Sequence, residues 1–453
     1  MSEKNYWLSS GFFSMMHRGV DFIVGFVGFM ILVRLFSPEE FGVWVLFITI
    51  AAIIDMARNG FLQNGMIKFI VAEKGMENSK IQISALQLNA ALTLLIILFI
   101  WMAAPFAETL FGAKGLADLL QIHVFFLPFL IFHTHNLILM QATFNFKSYF
   151  FAGISKSVPF FVFIAIVYLL DYTPSLIELA WYYNLCFIFA LLTSQYQVKN
   201  QFQILWGWHK EWLGKIFHFG KFVFGTNLVS MLTSSMDKFL LGALLSPVQV
   251  AMANSAGRIV NLLDIPINSI SSISFPKASE AHEKKQVAEV SRIFEMTVAA
   301  MFSFSMAFLV VVVFLAKYII LLVAGENYLD AVPYLQLISL IAILKPLDRQ
   351  TGIFLDAIGK PAYNMVLVFG TLAYGIALSW VFILQFGLIG AAMGVLVAIS
   401  ITVVIKIYIL NKFLSISYGN ILKETFFNYP KAFKIAVDQF QKIKNSRSNR
   451  STK

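Results

Sequence analysis

The chain has 453 residues, of which 59% are hydrophobic and only 13% charged, with a mean hydropathy of +0.77 and a formal net charge of +10. Soluble domains run near a quarter charged, so this composition excludes a soluble protein and requires a polypeptide that crosses a bilayer many times. The single cysteine, Cys186, excludes an intrachain disulfide and four-cysteine metal or redox motifs.

Apolar stretches near the roughly 20 residues that a bilayer demands recur about twelve times. They fall at 11–33, 41–63, 82–104, 117–141, 149–170, 176–198, 219–244, 249–275, 294–323, 331–356, 362–384 and 387–410. Runs this long predict helices, because barrel strands would alternate over about ten residues. The first stretch is interrupted by His17, Arg18 and Asp21 and lacks a clear small-residue cleavage site, so it reads as a retained helix and not a removed signal peptide. The second carries Asp55 and Arg58, and the fifth carries Lys156 between Ser155 and Ser157, just before Pro159. The tenth carries Lys345, Asp348 and Arg349.

Loop charge orients these helices. Lys68, Lys74, Lys80, Lys199, Lys210, Lys215, Lys277, Lys284, Lys285 and Arg292 fall in loops on one side with Lys4 and a basic tail, whereas the opposite loops mix Arg34, Lys114 and Lys317 with Glu39, Glu40, Glu108, Asp171, Glu326 and Asp330. The lysine-rich side is cytoplasmic, and both termini are expected there. The net charge is mostly this topology signal and gives no reason to expect nucleic acid as a partner. After Pro430, Phe433, Val437, Phe440 and the stem of Lys444 share a face, which predicts a short helix resting on the anionic inner leaflet.

The loops are too short for a catalytic domain. "GIFLDAIGKP" at 352–361 has the wrong glycine spacing for a phosphate loop and a proline where Ser or Thr should follow the lysine. His133 and His135 form the only close histidine pair, with no carboxylate or cysteine nearby, and read as ordinary polar residues of helix four and not as a metal site. No catalytic constellation, metal site or cofactor is expected, and the chain does not read as an enzyme.

A charge at the centre of a membrane helix costs about 2.5–3.5 kcal/mol on insertion scales, so each should pair or face water. Arg18 with Asp21, Asp55 with Arg58, and Lys345 with Asp348 are each three residues apart and share a helix face, with Arg349 one turn from Lys345. These pairs read equally as internal salt bridges or as the lining of a cavity. Arg258 lies in a stripe with Asn254, Asn261, Asn268 and Ser272, with no acid on that face, and Asp264 points off it. Lys156 also has no acid nearby on its own helix. Cations on a polar face suit an anion, and guanidinium forks fit phosphate oxygens in pairs. The candidate binding residues are therefore Arg18, Arg58, Lys156, Asn254, Arg258, Asn261, Lys345 and Arg349. Asp21, Asp55 and Asp264 are candidates for ion coupling, Asp55 either holding Arg58 or exchanging a proton. Thr226, Asn227, Ser230 and Thr233 could bind sugar hydroxyls, although such residues more often hydrogen-bond neighbouring helices.

Sliding the chain against itself by 209 residues lays 35–59 over 244–268 without a gap. Leu35, Ser37, Pro38, Ile50, Asp55 and Asn59 then meet Leu244, Ser246, Pro247, Ile259, Asp264 and Asn268, and Gly11, Phe13, Leu32 and Lys68 meet Gly220, Phe222, Leu241 and Lys277. This register points to a duplication. With an even number of helices per copy, the repeat is parallel and its axis lies along the membrane normal, a transporter architecture. The expected fold is an all-α integral membrane protein of about 12 transmembrane helices, in two six-helix lobes related by a parallel repeat around a central cationic cavity. The lobes are placed at 1–205 and 206–411, the second with an interfacial lead-in helix, and are followed by a basic cytoplasmic tail at 412–453.

The turn "RLFSPEEFGVW", the following "DMARNGFLQNGMIKFIVAEKG" and the basic amphipathic "QFQILWGWHKEWLGKIFHFG" before helix seven resemble the polysaccharide-exporter branch, the O-antigen flippases, of the multidrug/oligosaccharidyl-lipid/polysaccharide transporter superfamily. The likeness runs over residues 5–411. It implies a V-shaped pair of bundles whose central cavity opens alternately to each side of the bacterial inner membrane. It further implies an undecaprenyl-pyrophosphate-linked oligosaccharide as cargo, carried from the cytoplasmic to the periplasmic leaflet, with the surrounding lipid and a polysaccharide polymerase and chain-length regulator of the same pathway as partners. An arginine on each of helices one, two and eight is the pattern of related flippases, and Arg18, Arg58 and Arg258 occupy those helices. The chain departs from fourteen-helix flippases in ending after twelve. An ion-coupled multidrug exporter of the same superfamily is the alternative, although it would want acids in its cavity. A membrane polysaccharide polymerase is a more distant one.

Overall fold

The computed structural model describes residues 3–73, 75–198 and 207–428, without the side chains of 3–11, 14, 222, 223 and 226. The helix expected after Pro430 and the side chain of Thr226 lie outside the described residues. Each of the expected apolar stretches falls on helix: α1 Glu3–Leu35, α2 Pro38–Ala72, α3 Met76–Phe111, α4 Leu116–Ala142, α5 Phe146–Leu169, α6 Leu176–Val198, α7 Lys210–Leu244, α8 Pro247–Val260, α9 Asp264–Glu283, α10 Val287–Val323, α11 Val332–Ile338, α12 Ile341–Ala357 and α13 Pro361–Leu410. A further helix, α14, covers 418–428. Among the described residues, α2, α3, α4, α5, α6, α10 and α13 are each long and apolar enough to cross a bilayer. The segment 326–357, bent by 51° before α12, is an eighth if taken as one span.

Helices α2 and α8 begin alike. Ser37 caps α2, its hydroxyl accepting from the Glu40 N–H at 3.3 Å while the Glu40 carboxylate accepts from the Ser37 N–H at 3.0 Å. This reciprocal box satisfies donors that a helix start leaves open. At the 209-residue offset, Ser246 bonds the Gln249 side chain and Pro247 opens α8 as Pro38 opens α2. A proline fits there because the first helical N–H has no intrahelical acceptor.

The two copies then diverge. Helix α2 runs unbroken, whereas the helix expected over 249–275 is interrupted by a 3₁₀ turn at Asn261–Leu263. Pro266 has no N–H to offer the Leu262 carbonyl, which loosens the α-ladder at this point. The polar stripe expected on a single helix is therefore split, with Asn254 and Arg258 on α8, Asn261 in the turn, and Asn268 and Ser272 on α9.

Helix α13 folds back on itself at Gly387, whose φ of 58° and ψ of −134° suit glycine alone. A side chain at Gly390 would run into the Phe382 carbonyl and one at Gly394 into Ser379, so these glycines let the two arms approach closely. Farther along, Thr371 on one arm meets Thr402 on the other at 2.8 Å. The arms are the separate spans expected at 362–384 and 387–410.

The chain forms two compact units. The first holds residues up to Asn254 with Leu322–Tyr328, and pairs α1 with α5, α2 with α4 and α7, α3 with α4 and α7, and α6 with α4 and α5. One of its cores gathers Leu62 and Met66 of α2, Ile81 of α3, Leu139 and Met140 of α4, and Trp212 and Ile216 of α7. The second unit holds Ser255–Leu321 and residues from Leu329 on. Its core packs Phe294 of α10 edge-on against Phe354 of α12, 5.1 Å between ring centres, and includes Leu410 and Ile421. Helix α14 thus belongs to that core. The Glu295 carboxylate on α10 receives the Ser417 N–H at 2.7 Å and the Asn420 amide at 3.2 Å, fixing its start.

Candidate functional site

Successive residues on a helix point about 100° apart, so Ser155, Lys156 and Ser157 of α5 reach three different helices of the first unit. Ser155 accepts from Thr193 of α6 at 2.7 Å, and Ser157 donates to Asp21 of α1 at 2.9 Å. Between them, the Lys156 ammonium lies 3.4 Å from Asp55 Oδ2 of α2. The same ammonium stands over the rings of Phe187 and Tyr183 on α6, 4.3 and 5.6 Å from their centres.

The other Asp55 oxygen faces Arg58 Nη1 at 3.6 Å. Arg58 is fully buried, and its Nε donates to Thr93 Oγ1 at 2.9 Å while Nη2 reaches Asn89 Oδ1 at 3.5 Å. Asn89 and Thr93 lie four residues apart on α3, stacked on one face, and Thr93 also bonds Asn89 at 3.3 Å. Arg58 therefore packs against α3 inside the unit. The i,i+3 spacing of Asp55 and Arg58 does give an ion pair. The Arg18–Asp21 spacing gives none among the described residues: His17 Nδ1 lies 3.4 Å from the Asp21 carboxylate, and Arg18 is exposed.

The histidines of α4 tie that helix to α6. His133 Nδ1 contacts the Ala190 carbonyl at 3.0 Å and Ser194 at 3.2 Å, and His123 Nδ1 meets Asn184 Oδ1 at 2.8 Å. Asn136 donates to Gln195 at 3.0 Å. Asn227 of α7 lies against Gly60, and Thr233 bonds its own helix at Val229.

The second unit rearranges the pairs that spacing predicts. Lys345 of α12 bonds Asp264 of α9 at 2.7 Å, and Asp348 takes Lys406 of α13, also at 2.7 Å. The expected Lys345–Asp348 pair is thus replaced by two bridges between helices. Lys406 is only 5% exposed and also donates to the Asp348 main-chain oxygen at 3.2 Å. A buried ammonium needs several acceptors, and the carboxylate with its own carbonyl supplies two. One turn behind Lys406, Thr402 joins Thr371 and Tyr374. Gln350 bonds Ser274 of α9 at 3.0 Å. Arg258, Asn261 and Arg349 are exposed, and Asn254 is half-buried.

Reasoning along single helices missed Lys406, Asn89, Thr93 and His123. Lys406 had a signal, as the lone charge in the apolar run "ITVVIKIYIL", and Asn89 with Thr93 had one in their four-residue spacing. His123 had none.

Long apolar helices joined by ion pairs from one helix to another define the class, among the described residues, as a multi-pass, all-helical membrane protein. The solved structure of the lipid II flippase MurJ in an inward closed conformation matches 94% of this chain and 92% of its own with a TM-score of 0.76 at 15% identity. An inward-facing multidrug resistance MATE family transporter of the MOP superfamily matches 84% of this chain and 91% of its own, with a TM-score of 0.71 at 17% identity. Residues 31–333 match the family described as polysaccharide biosynthesis protein, and the chain belongs to that family. It is 27% identical over 186 residues to the teichuronic acid biosynthesis protein TuaB of Bacillus subtilis, covering 38% of each chain. It is 20% identical over 218 residues to the probable low-salt glycan biosynthesis flippase Agl15 of Haloferax volcanii, covering 45% of this chain and 43% of that one. The chain thus spans about two-fifths of the length of these curated relatives.

Proposed function

We propose that the chain is a flippase, not an enzyme, that carries an undecaprenyl-pyrophosphate-linked oligosaccharide from the cytoplasmic to the periplasmic leaflet of a bacterial inner membrane by alternating access, with both termini cytoplasmic. The observation that carries the reading is the division of charge within the helices. Asp55, Asp264 and Asp348 are each bonded to a lysine or arginine, and exposed arginines occur in both units, Arg18 in the first and Arg258 and Arg349 in the second. Exposed arginines offer forks to phosphate oxygens, and acids already engaged by cations are less available to a cationic drug, which sets the reading against the multidrug alternative. Family membership and a relative named as a glycan biosynthesis flippase support the same direction.

Arg258 is the anchor for the pyrophosphate in this reading, and Asn254 and Asn261 are placed near it on the chain to meet sugar hydroxyls. Arg18 and Arg349 are further candidates for the anion. Lys345, bonded to Asp264, contributes to the positive field of α12. The test is translocation of lipid-linked oligosaccharide in vesicles containing only this protein, with membrane abundance measured in parallel. Arg258→Ala should abolish transport at normal abundance. Arg258→Lys should keep part of it, losing on the order of 1–2 kcal/mol, or about tenfold, because the charge survives and the two-pronged fit does not. An abundant Ala variant that flips at the wild-type rate refutes the anchor. In cells, loss of the protein should strand completed repeat units in the cytoplasmic leaflet, whereas loss of a polymerase would still deliver single units to the surface.

A further inference from the structure

The surroundings of Lys156 are those of a cation-binding site. A carboxylate oxygen stands 3.4 Å from the ammonium, and two aromatic faces stand 4.3 and 5.6 Å away. A carboxylate with ring faces is the chemistry that holds a desolvated monovalent cation, and aromatic faces favour ammonium types in particular. We propose that the first unit contains a monovalent-cation site permanently occupied by its own Lys156 ammonium, so that no coupling cation binds at Asp55 while that side chain is present.

Charge around the site supports this. On α2, Arg58 faces the second Asp55 oxygen and is held in place by Thr93 and Asn89 of α3, so it cannot swing away to free the carboxylate. On α4, His123 packs against the same Phe187 and Tyr183 rings, 5.8 and 6.5 Å between centres. On α1, the nearby acid Asp21 is engaged by His17 and Ser157. One carboxylate thus serves two fixed cations, and a sodium ion, potassium ion or proton arriving from solution would add a third positive charge beside a half-buried carboxylate already engaged on both oxygens. The ammonium is tethered to α5 and never leaves by diffusion. Removing it should turn the locus into an open site for a small cation.

The inference is independent of the cargo and is tested on purified full-length protein without it. Thermal unfolding is followed in detergent at constant ionic strength, with sodium, potassium, ammonium or methylammonium chloride replacing N-methylglucamine chloride. The wild type should show no cation-specific, saturable shift. Lys156→Ala should melt lower and regain stability saturably with ammonium or methylammonium, by about 2–4 °C. Lys156→Met, which fills the space with an apolar chain, should melt lower without responding. An Ala variant indifferent to all four cations overturns the proposal, as does a saturable sodium or potassium shift in the wild type. If the Ala variant can be purified only with methylammonium present, that requirement is itself the expected result. If it cannot be recovered even then, Phe187→Leu decides, because losing the ring face should lower the wild-type melting point, and an unchanged one counts against the site. Failure of the flippase reading would leave all these outcomes unaltered.

Discussion

Replacing Arg58 by alanine should be among the most damaging single changes in the first unit. The guanidinium is fully buried and makes three contacts: Asp55 at 3.6 Å, Thr93 at 2.9 Å and Asn89 at 3.5 Å. Hydrogen bonds between membrane helices average about 0.6 kcal/mol, with a maximum near 1.7, so the Thr93 and Asn89 bonds together supply about 1–2 kcal/mol. Breaking a buried ion pair from one side costs about 3–5 kcal/mol, because the remaining charge is left without its partner. Here Lys156 still covers the other Asp55 oxygen, which places the ionic loss at the lower end. The expected total is about 4 kcal/mol, dominated by the charge left behind and not by the lost bonds. Thr93→Ala, which removes a bond and leaves every charge in place, should cost only about 1 kcal/mol. In an Asp55→Asn background, Arg58→Ala should cost at least about 2 kcal/mol less than in the wild type, since no carboxylate is then abandoned. Unfolding in mixed micelles, followed by tryptophan fluorescence, measures the wild type and the four variants. If Arg58→Ala falls within about 0.5 kcal/mol of wild type, or if the loss is the same with Asn at position 55, then the charge left on Asp55 is not what makes Arg58 important to stability.

Two further outcomes are expected. Gly394→Leu should lower the yield of folded protein sharply, because any side chain there meets Ser379 of the opposing arm, whereas Gly370→Leu, at a position with only an ordinary contact to Tyr374, should be tolerated; membrane abundance of the two variants is compared. Truncation after Asn428 should leave transport and abundance largely intact. Truncation after Leu414 removes buried Ile421 and Thr425 from the second unit and should lower its melting temperature by several degrees.

Hydropathy placed the helices well because membrane length and apolarity are properties of contiguous residues. Helix α6 was expected at 176–198 and spans Leu176–Val198, and Gly387 marked the fold-back between the last two stretches. The interruption near Asn261 was written in Pro266, but a strong polar stripe on either side of it read more simply as one face. Ion pairing was harder to read. A sequence displays neighbours three and four residues apart, so Asp55–Arg58 was visible. The partners of Lys156, Lys345 and Lys406 lie on other helices, at sequence separations of 101, 81 and 58 residues. An apparent excess of cations on α5 and α12 was therefore in part the near half of bridges whose far half lay elsewhere.

Lys406 also bears on how the protein is made. The arm that follows Gly387 is strongly apolar and carries one ammonium, that of Lys406 near its end at Leu410, which would be costly in lipid without a partner. Its acceptor, Asp348, leaves the ribosome 58 residues earlier, on a helix that is itself burdened with Lys345, Asp348 and Arg349. Neither segment is at ease in the bilayer alone. The tight turn at Gly387 brings the later arm back across the membrane toward α12, so the two charges can meet as that arm integrates. The Asp348–Lys406 bridge thus cannot close until the last arm of α13 has been made, so the second unit reaches its final packing only after that arm is synthesised.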